Sequence, residues 1–229
     1  MTIGIIGAMD EEIAVLRANM MNTKETIVAN TLFIEGQMFD KHVVLLKSGI
    51  GKVNAAMATS ILHERFAPES VINTGSAGGF AQVLDVGDIV VSSEVIHHDV
   101  DVTAFDYAYG QVAGMPATYQ ADEHLINIAN EAIQTIDVNV LTGLIATGDS
   151  FMADAERVSF IRDLFPDMLA AEMEAAAIAQ VCYQYDTPFV VIRALSDIAG
   201  KQSSTSFQTF LETAAHHAAQ LIMNMIKQL

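Results

Sequence analysis

The chain has a single cysteine, Cys182, so no disulfide can close within it, and a reducing, cytoplasmic setting is expected. Basic residues are scarce: 11 Lys and Arg stand against 28 Asp and Glu, a formal net charge of −17. Such a charge repels phosphate backbones and anionic lipid, which argues against nucleic-acid and membrane-surface roles. No apolar run has transmembrane length. The apolar start, Ile3 to Met9, lacks a basic flank and runs into Asp10-Glu11-Glu12, so a signal peptide is not expected. Internal repeats, low-complexity tracts and proline-rich linkers are also missing, so one domain over residues 1–229 is expected.

Apolar residues make up 52% of the chain and charged ones 17%, which calls for a sheet buried on both faces or an apolar surface covered by a partner subunit. Short β-branched runs recur at Ile3–Ile6, His42–Leu46, Ser70–Asn73, Asp88–Ser92, Gly143–Ala146 and Pro188–Ile192. Helical stripes lie between several of them: Ile13, Leu16 and Met20; Val53, Ala56, Met57 and Ile61; Leu125, Ile128, Ala132 and Ile136; Val158, Ile161 and Phe165. The last stripe runs from Phe207 through Phe210, Leu211, Ala214, Ala218 and Leu221 to Met225. Alternating strands and helices predict an α/β sandwich on a largely parallel sheet. Two segments read as loops. One is His97–Gln120, with no Lys or Arg; the other is Gly200–Ser206, with Ser206 as N-cap of the final helix.

Three run ends are rich in small residues: Gly4-Ile-Ile-Gly7, Gly49-Ile-Gly51 and Gly75-Ser-Ala-Gly78-Gly79. The second falls short of a dinucleotide fingerprint, because Asn54 stands at the third glycine position, and of a phosphate loop, because Val53 follows Lys52. The glycines therefore read as tight turns or as places where backbone approaches a small ligand. Parallel sheets bind ligands at the carboxyl ends of their strands, where Glu12, Glu174 and Asp197 also fall. Each suits a helix N-terminus on its own. Three in one crevice, with Arg193 the nearest base in sequence, suggest opposed acid and base roles, as cleavage of a glycosidic bond requires.

Six segments in order resemble the bacterial 5′-methylthioadenosine/S-adenosylhomocysteine nucleosidases of the purine nucleoside phosphorylase/uridine phosphorylase superfamily. They are Gly7-Ala-Met-Asp-Glu-Glu12, Ser48-Gly-Ile-Gly-Lys-Val53, Asn73-Thr-Gly-Ser-Ala-Gly-Gly79, Gly148-Asp-Ser-Phe151, Glu172-Met-Glu-Ala-Ala-Ala177 and Arg193-Ala-Leu-Ser-Asp197. The resemblance implies a three-layer α/β/α sandwich, a homodimer, no metal and no cofactor. It also implies hydrolysis of the N-glycosidic bond of methylthioadenosine and S-adenosylhomocysteine, with 5′-deoxyadenosine a further substrate, in methionine salvage. By the same resemblance Glu12 is the base toward water, and Asp197, placed by Ser196, protonates adenine N7. Glu174 holds the ribose hydroxyls, with Met173 under the sugar and Arg193 near the water. Phe151 stacks on adenine, Met152 reads its edge through the main chain, and Ser76, Ala77 and Gly78 form the floor. Met9, Ile50 and Phe207 surround the apolar 5′ substituent, joined by Val102, Phe105 and Pro116 of the neighbouring subunit. The chain departs from the family's pattern at Asp10, where Glu is common, and at Asp106, where Gly is expected.

A phosphorylase is the main rival, but Asp10-Glu11-Glu12 at the first strand end and five arginines in all suit water better than phosphate. A nucleoside binder without catalysis is the non-enzymatic alternative, against which the retention of both Glu12 and Asp197 argues. His97, Asp99 and Asp101 form either a cation site or, preferably, a hydrogen-bonded polar cluster.

Overall fold

The first apolar run becomes β1 (Thr2–Gly7), inside one mixed sheet of a computed structural model that describes residues 1–133, 138–201 and 203–229. Along the chain follow α1 (Asp10–Ala18), β2 (Met21–Val28), β3 (Thr31–Met38), β4 (Lys41–Lys47), α2 (Lys52–Phe66) and β5 (Ser70–Gly79). Then come β6 (Ile89–His97), β7 (Tyr119–Gln120), α3 (Glu123–Ala132), β8 (Val140–Thr147) and α4 (Ala155–Leu164). The last elements are β9 (Met168–Glu172), α5 (Ala175–Gln184), β10 (Phe189–Ile198) and α6 (Ser203–Ile226).

Parallel pairing joins β4, β1, β5 and β10, and separately β6, β8 and β9. Antiparallel contacts β10–β6 and β5–β9 tie the two groups, so β5, β9, β8, β6 and β10 close into a ring at one end of the sheet. A hairpin series, β2–β3–β4, forms the opposite edge. Its two turns, Ala29-Asn30 and Phe39-Asp40, place both residues at positive φ, the backbone that matches strand twist.

Helices cover both faces. A side chain at Gly4 would meet Leu62 of α2, and one at Gly7 would meet Ile13 of α1, and residues of opposite parity on a strand point to opposite faces. α3 and α6 join α1 on its side, and α5 joins α2. The strands between them are apolar on both faces: Ile3, Ile5, Ile6, Val43, Val44, Leu45, Leu46, Val190, Val191 and Ile192 are fully buried. Each such side chain contributes about 1.5–3 kcal/mol by leaving water. A smaller cluster under α4 gathers Phe80, Ile96, Met152, Val158, Ile161 and Phe165. No described helix is long and apolar enough to cross a membrane.

Two local expectations change. Half of the α2 stripe faces outward: Val53 is 79% and Met57 37% exposed, while Ala56 and Ile61 pack half-buried against the core beside the buried Ala55, Ala58, Thr59, Leu62 and His63. Small residues go inward there because α2 packs closely on the alanine-rich α5. The final helix starts at Ser203, so Ser206 is not its N-cap; the Ser206 hydroxyl instead donates to the Ser196 carbonyl (3.0 Å), pinning the helix to the end of β10. Ile136, of the third stripe, lies outside the described residues.

Candidate active site

Four parallel strands end at one crevice, and the chemistry-bearing residues follow them. α1 begins directly beyond β1, and the carboxylate of Glu12, in its first turn, is drawn back over the strand end. Its Oε2 accepts from the amides of Ala8 (2.8 Å) and Met9 (3.2 Å), and its Oε1 from the amide (2.9 Å) and hydroxyl (3.1 Å) of Ser76. All four partners donate, so the group is held as an acceptor. Gly75 leaves the room: a Cβ there would stand 2.9 Å from both Glu12 Oε1 and Arg193 Nη1. That glycine is cleared by the protein's own side chains, not by an approaching ligand.

Asp197 sits at the end of β10 with 3% of its surface exposed. Its Oδ1 accepts from the Ser196 hydroxyl (3.0 Å), and its Oδ2 would lie 3.2 Å from a Cβ on Gly78. Ser76 touches Glu12 and Gly78 lies against Asp197. These two β5 positions are one same-face strand step apart, so Glu12 and Asp197 meet successive outward positions of the same strand.

Glu174 opens α5 and accepts from the Gly51 amide at 2.8 Å. Burial, then the neighbouring Glu172, push its carboxyl up to about 8, against the pull of Arg193 and the Gly51 amide. Glu172 does a different task. Its Oε2 accepts from the amides of Glu174 (2.9 Å) and Ala175 (2.8 Å), and its Oε1 from Thr147, whose hydroxyl oxygen accepts from the Ala176 amide (2.8 Å). The otherwise unpaired first amides of α5 are thereby satisfied. Arg193 closes the group, donating from Nη2 to Glu172 Oε2 (2.5 Å) and Asn73 Oδ1 (2.7 Å), with Glu174 Oε2 3.9 Å away. Burial opposes its charge, but Glu172, Glu174 and Glu12 outweigh that and hold it above its ordinary value.

Glu12, Glu172, Glu174 and Asp197 border a cavity of about 470 Å³, a size suited to a nucleoside-scale ligand. Of the residues singled out in the sequence, Met9, Glu12, Ile50, Ser76, Ala77, Gly78, Phe151, Met173, Glu174, Ser196, Asp197 and Phe207 line it. Phe151 and Phe207 meet edge to face, 5.8 Å between centroids. Met152 is buried in the cluster under α4, and Arg193 lies beneath the cavity without lining it. Val102, Phe105 and Pro116 stand apart on the 97–118 loop, with Phe105 75% exposed. Asp106 there adopts φ 62°, a left-handed backbone that glycine favours and aspartate tolerates. Ala8, Ala171, Glu172 and Gln208 also line the cavity and were not singled out. Glu172 stood in a quoted segment, but its capping of α5 has no signature in the sequence.

His97, Asp99 and Asp101 do not converge. His97 Nε2 pairs with Gln180 Oε1 (3.1 Å), Asp99 with Lys52 (2.6 Å) and the Asp149 amide (2.9 Å), and Asp101 with Thr103 (2.7 Å). Among the described residues no group of three or more His, Cys, Asp or Glu is placed to hold a metal ion.

The phosphorylase superfamily model matches residues 2–227. A 5′-methylthioadenosine/S-adenosylhomocysteine nucleosidase of Oceanobacillus iheyensis is 63% identical over 229 residues, the whole of both chains. Among solved structures, the nucleosidase of Neisseria meningitidis, in complex with methylthio-immucillin-A, superposes with a TM-score of 0.98 at 49% identity, over 100% of this chain and 99% of that one. That of Colwellia psychrerythraea, in complex with adenine, gives 0.98 at 52% identity, over 100% and 96%. Matched from end to end in sequence and in fold, the chain belongs to the phosphorylase superfamily, among its 5′-methylthioadenosine/S-adenosylhomocysteine nucleosidases.

Proposed function

We propose that the protein hydrolyses the N-glycosidic bond of 5′-methylthioadenosine and S-adenosylhomocysteine, releasing adenine and the corresponding thioribose. One observation carries the reading: Glu12 and Asp197 line a single cavity of about 470 Å³, each against a neighbouring position of β5. Two carboxyls on one cavity suit one acid and one base acting through a water on opposite sides of the bond.

Asp197 is the acid toward adenine N7. Adenine leaves poorly as an anion, and a proton on N7 lets it depart neutral from an oxocarbenium-like sugar. Ser196 supports this, since its hydroxyl is within 3.0 Å of Asp197 Oδ1 and within 3.4 Å of the Ala77 carbonyl. When Ser196 donates to Ala77, its oxygen is free to accept the Asp197 proton and hold it in place. Glu12, surrounded by donors, takes the proton of the attacking water. Glu174 accepts from the ribose hydroxyls, Phe151 stacks on the base, and Met9, Ile50 and Phe207 enclose the 5′ substituent.

A single domain carries this site, and a second copy completes it. The outward apolar residues Val53 and Met57 support a homodimer, as does the cleft that Val53 shares with Val100, Val112 and Val181. Burying that face would bring Val102, Phe105 and Pro116 to the neighbour's 5′ pocket. The buried, unpaired Cys182 agrees with a cytoplasmic enzyme.

Phosphorolysis is disfavoured by charge: four carboxyl residues and no Lys, Arg or His line the cavity. The test is turnover in phosphate-free buffer, with products separated by chromatography. Free adenine and a free thioribose are expected at a rate independent of phosphate; activity that appears only with phosphate, or a ribose 1-phosphate product, overturns the reading.

A further inference from the structure

Beside the catalytic cavity lies a second cleft of about 440 Å³, and the two share a wall of Ala8, Met9 and Ile50. On the far side of that wall the lining changes character to Asp10, Glu11, Lys47 and Asn54. Lys47 Nζ lies 2.9 Å and 2.8 Å from the two carboxylate oxygens of Asp10, so the cleft holds a solvent-facing ion pair with a second carboxylate next to it in sequence. Asn54 Nδ2 donates to the Ile50 carbonyl (2.7 Å), which uses one of its two amide hydrogens and orients the side chain, its carbonyl oxygen serving as an acceptor.

We propose that this cleft is a subsite for the α-amino-acid end of a 5′-substituted adenosine, with Asp10 and Glu11 taking the ammonium and Lys47 the carboxylate. The proposal rests on the nucleosidase reading above and extends it from the bond broken to the substituent carried. The two substrates differ only beyond the 5′ sulfur: one carries a methyl group, the other a short methylene arm ending in a zwitterion. An apolar wall of Met9 and Ile50 suits the sulfur and its methylenes. A zwitterion beyond that wall needs both signs of charge within reach. The Asp10–Lys47 pair offers them, because a zwitterion laid antiparallel to an ion pair brings each charge against its opposite. A methyl group engages neither, so the cleft acts on one substrate and leaves the other alone.

The test compares the native protein with Lys47→Gln, Lys47→Glu and Asp10→Asn on both nucleosides. Exposed charge pairs contribute little each, so the expected effect is modest. The ratio of kcat/KM for methylthioadenosine to that for S-adenosylhomocysteine rises about three- to fivefold in Lys47→Gln and Asp10→Asn, and further in Lys47→Glu. The change lies in KM for S-adenosylhomocysteine, and raising ionic strength reproduces it in the native protein but adds little in Lys47→Gln. A ratio unchanged within twofold in all three variants overturns the subsite. Should the native protein turn over neither nucleoside, the nucleosidase reading fails instead. Calorimetric affinities of the two nucleosides for native and Lys47→Gln protein then decide the subsite by the same ratio.

Discussion

Ser76 donates twice to one oxygen of Glu12, its amide at 2.9 Å and its hydroxyl at 3.1 Å, while the amides of Ala8 and Met9 occupy the other oxygen. A carboxylate satisfies both sides and a carboxamide cannot. In Glu12→Gln the new NH2 must face either Ser76 or the Ala8 and Met9 amides, donor against donor. The variant is therefore expected to lose turnover by about 10²–10⁴-fold and also about 1–3 kcal/mol of folding stability. Steady-state kinetics and denaturant titration read the two losses separately. Normal stability with lost activity would mean that the carboxylate is not held by these four donors.

Asp197→Asn keeps the shape and a hydrogen-bonding edge toward the purine but has no carboxyl proton to give. Turnover is expected to fall about 10²–10⁴-fold with little change in substrate affinity. Single-turnover kinetics with a separate binding measurement distinguishes the two effects, and a near-native rate would remove Asp197 from the acid role.

The Glu174 carboxyl, raised to about 8 by burial and by Glu172, makes a signed prediction. Between the ordinary glutamate range and pH 8 the folded protein binds a proton there that the unfolded chain has released, so this group lowers stability as pH rises through that window. Glu174→Gln carries no such charge, and above pH 8 its melting temperature is expected to exceed the native one by about 2–4 °C. Ribose hydroxyls prefer the ionised acceptor, so native KM should fall as pH rises from 6 toward 9. That trend should vanish in Glu174→Gln and weaken for a 2′-deoxy substrate. The same slope in native and variant would show that another group titrates.

What the sequence disclosed follows from burial. Runs such as Ile3–Ile6 and Pro188–Ile192 stand out because β1 and β10 are covered on both faces, which demands unbroken apolar stretches. Strands β2 and β3 escaped notice because β2 is mostly exposed and polar, and because the turns on either side of β3, Ala29-Asn30 and Phe39-Asp40, lack the usual glycine. Val53 and Met57 misled in the other direction, since spacing alone does not say which members of an apolar stripe turn toward the core and which turn outward. Site residues at strand ends were legible as motifs, whereas the support beneath them was not. Glu172 and Arg193 meet only through the convergence of β9 and β10, 21 residues apart in the chain.

Gly148 offers a test of how the Phe151 loop is held. A Cβ at this position would stand 2.2 Å from His98 Cε1 and 2.6 Å from its Nε2, inside a ring that is itself buried. Gly148 leads into Asp149, whose amide donates to Asp99 Oδ2 (2.9 Å) and whose carboxylate accepts from the Lys52 amide (2.8 Å). Lys52 follows Gly51, the donor to Glu174. The segment that presents Phe151 is thus braced on one side by the His98 ring and on the other by the turn whose Gly51 amide holds the Glu174 carboxylate. Gly148→Ala must push this segment off the ring, and KM for either nucleoside is expected to rise about tenfold or more while the far-UV spectrum stays native. His98→Ala in the same chain makes room for the added methyl group, so the double variant should recover part of the lost affinity despite the cavity it opens. Kinetics on the two single variants and the double variant completes the cycle. Additive losses would mean that the His98 ring does not set the position of the loop.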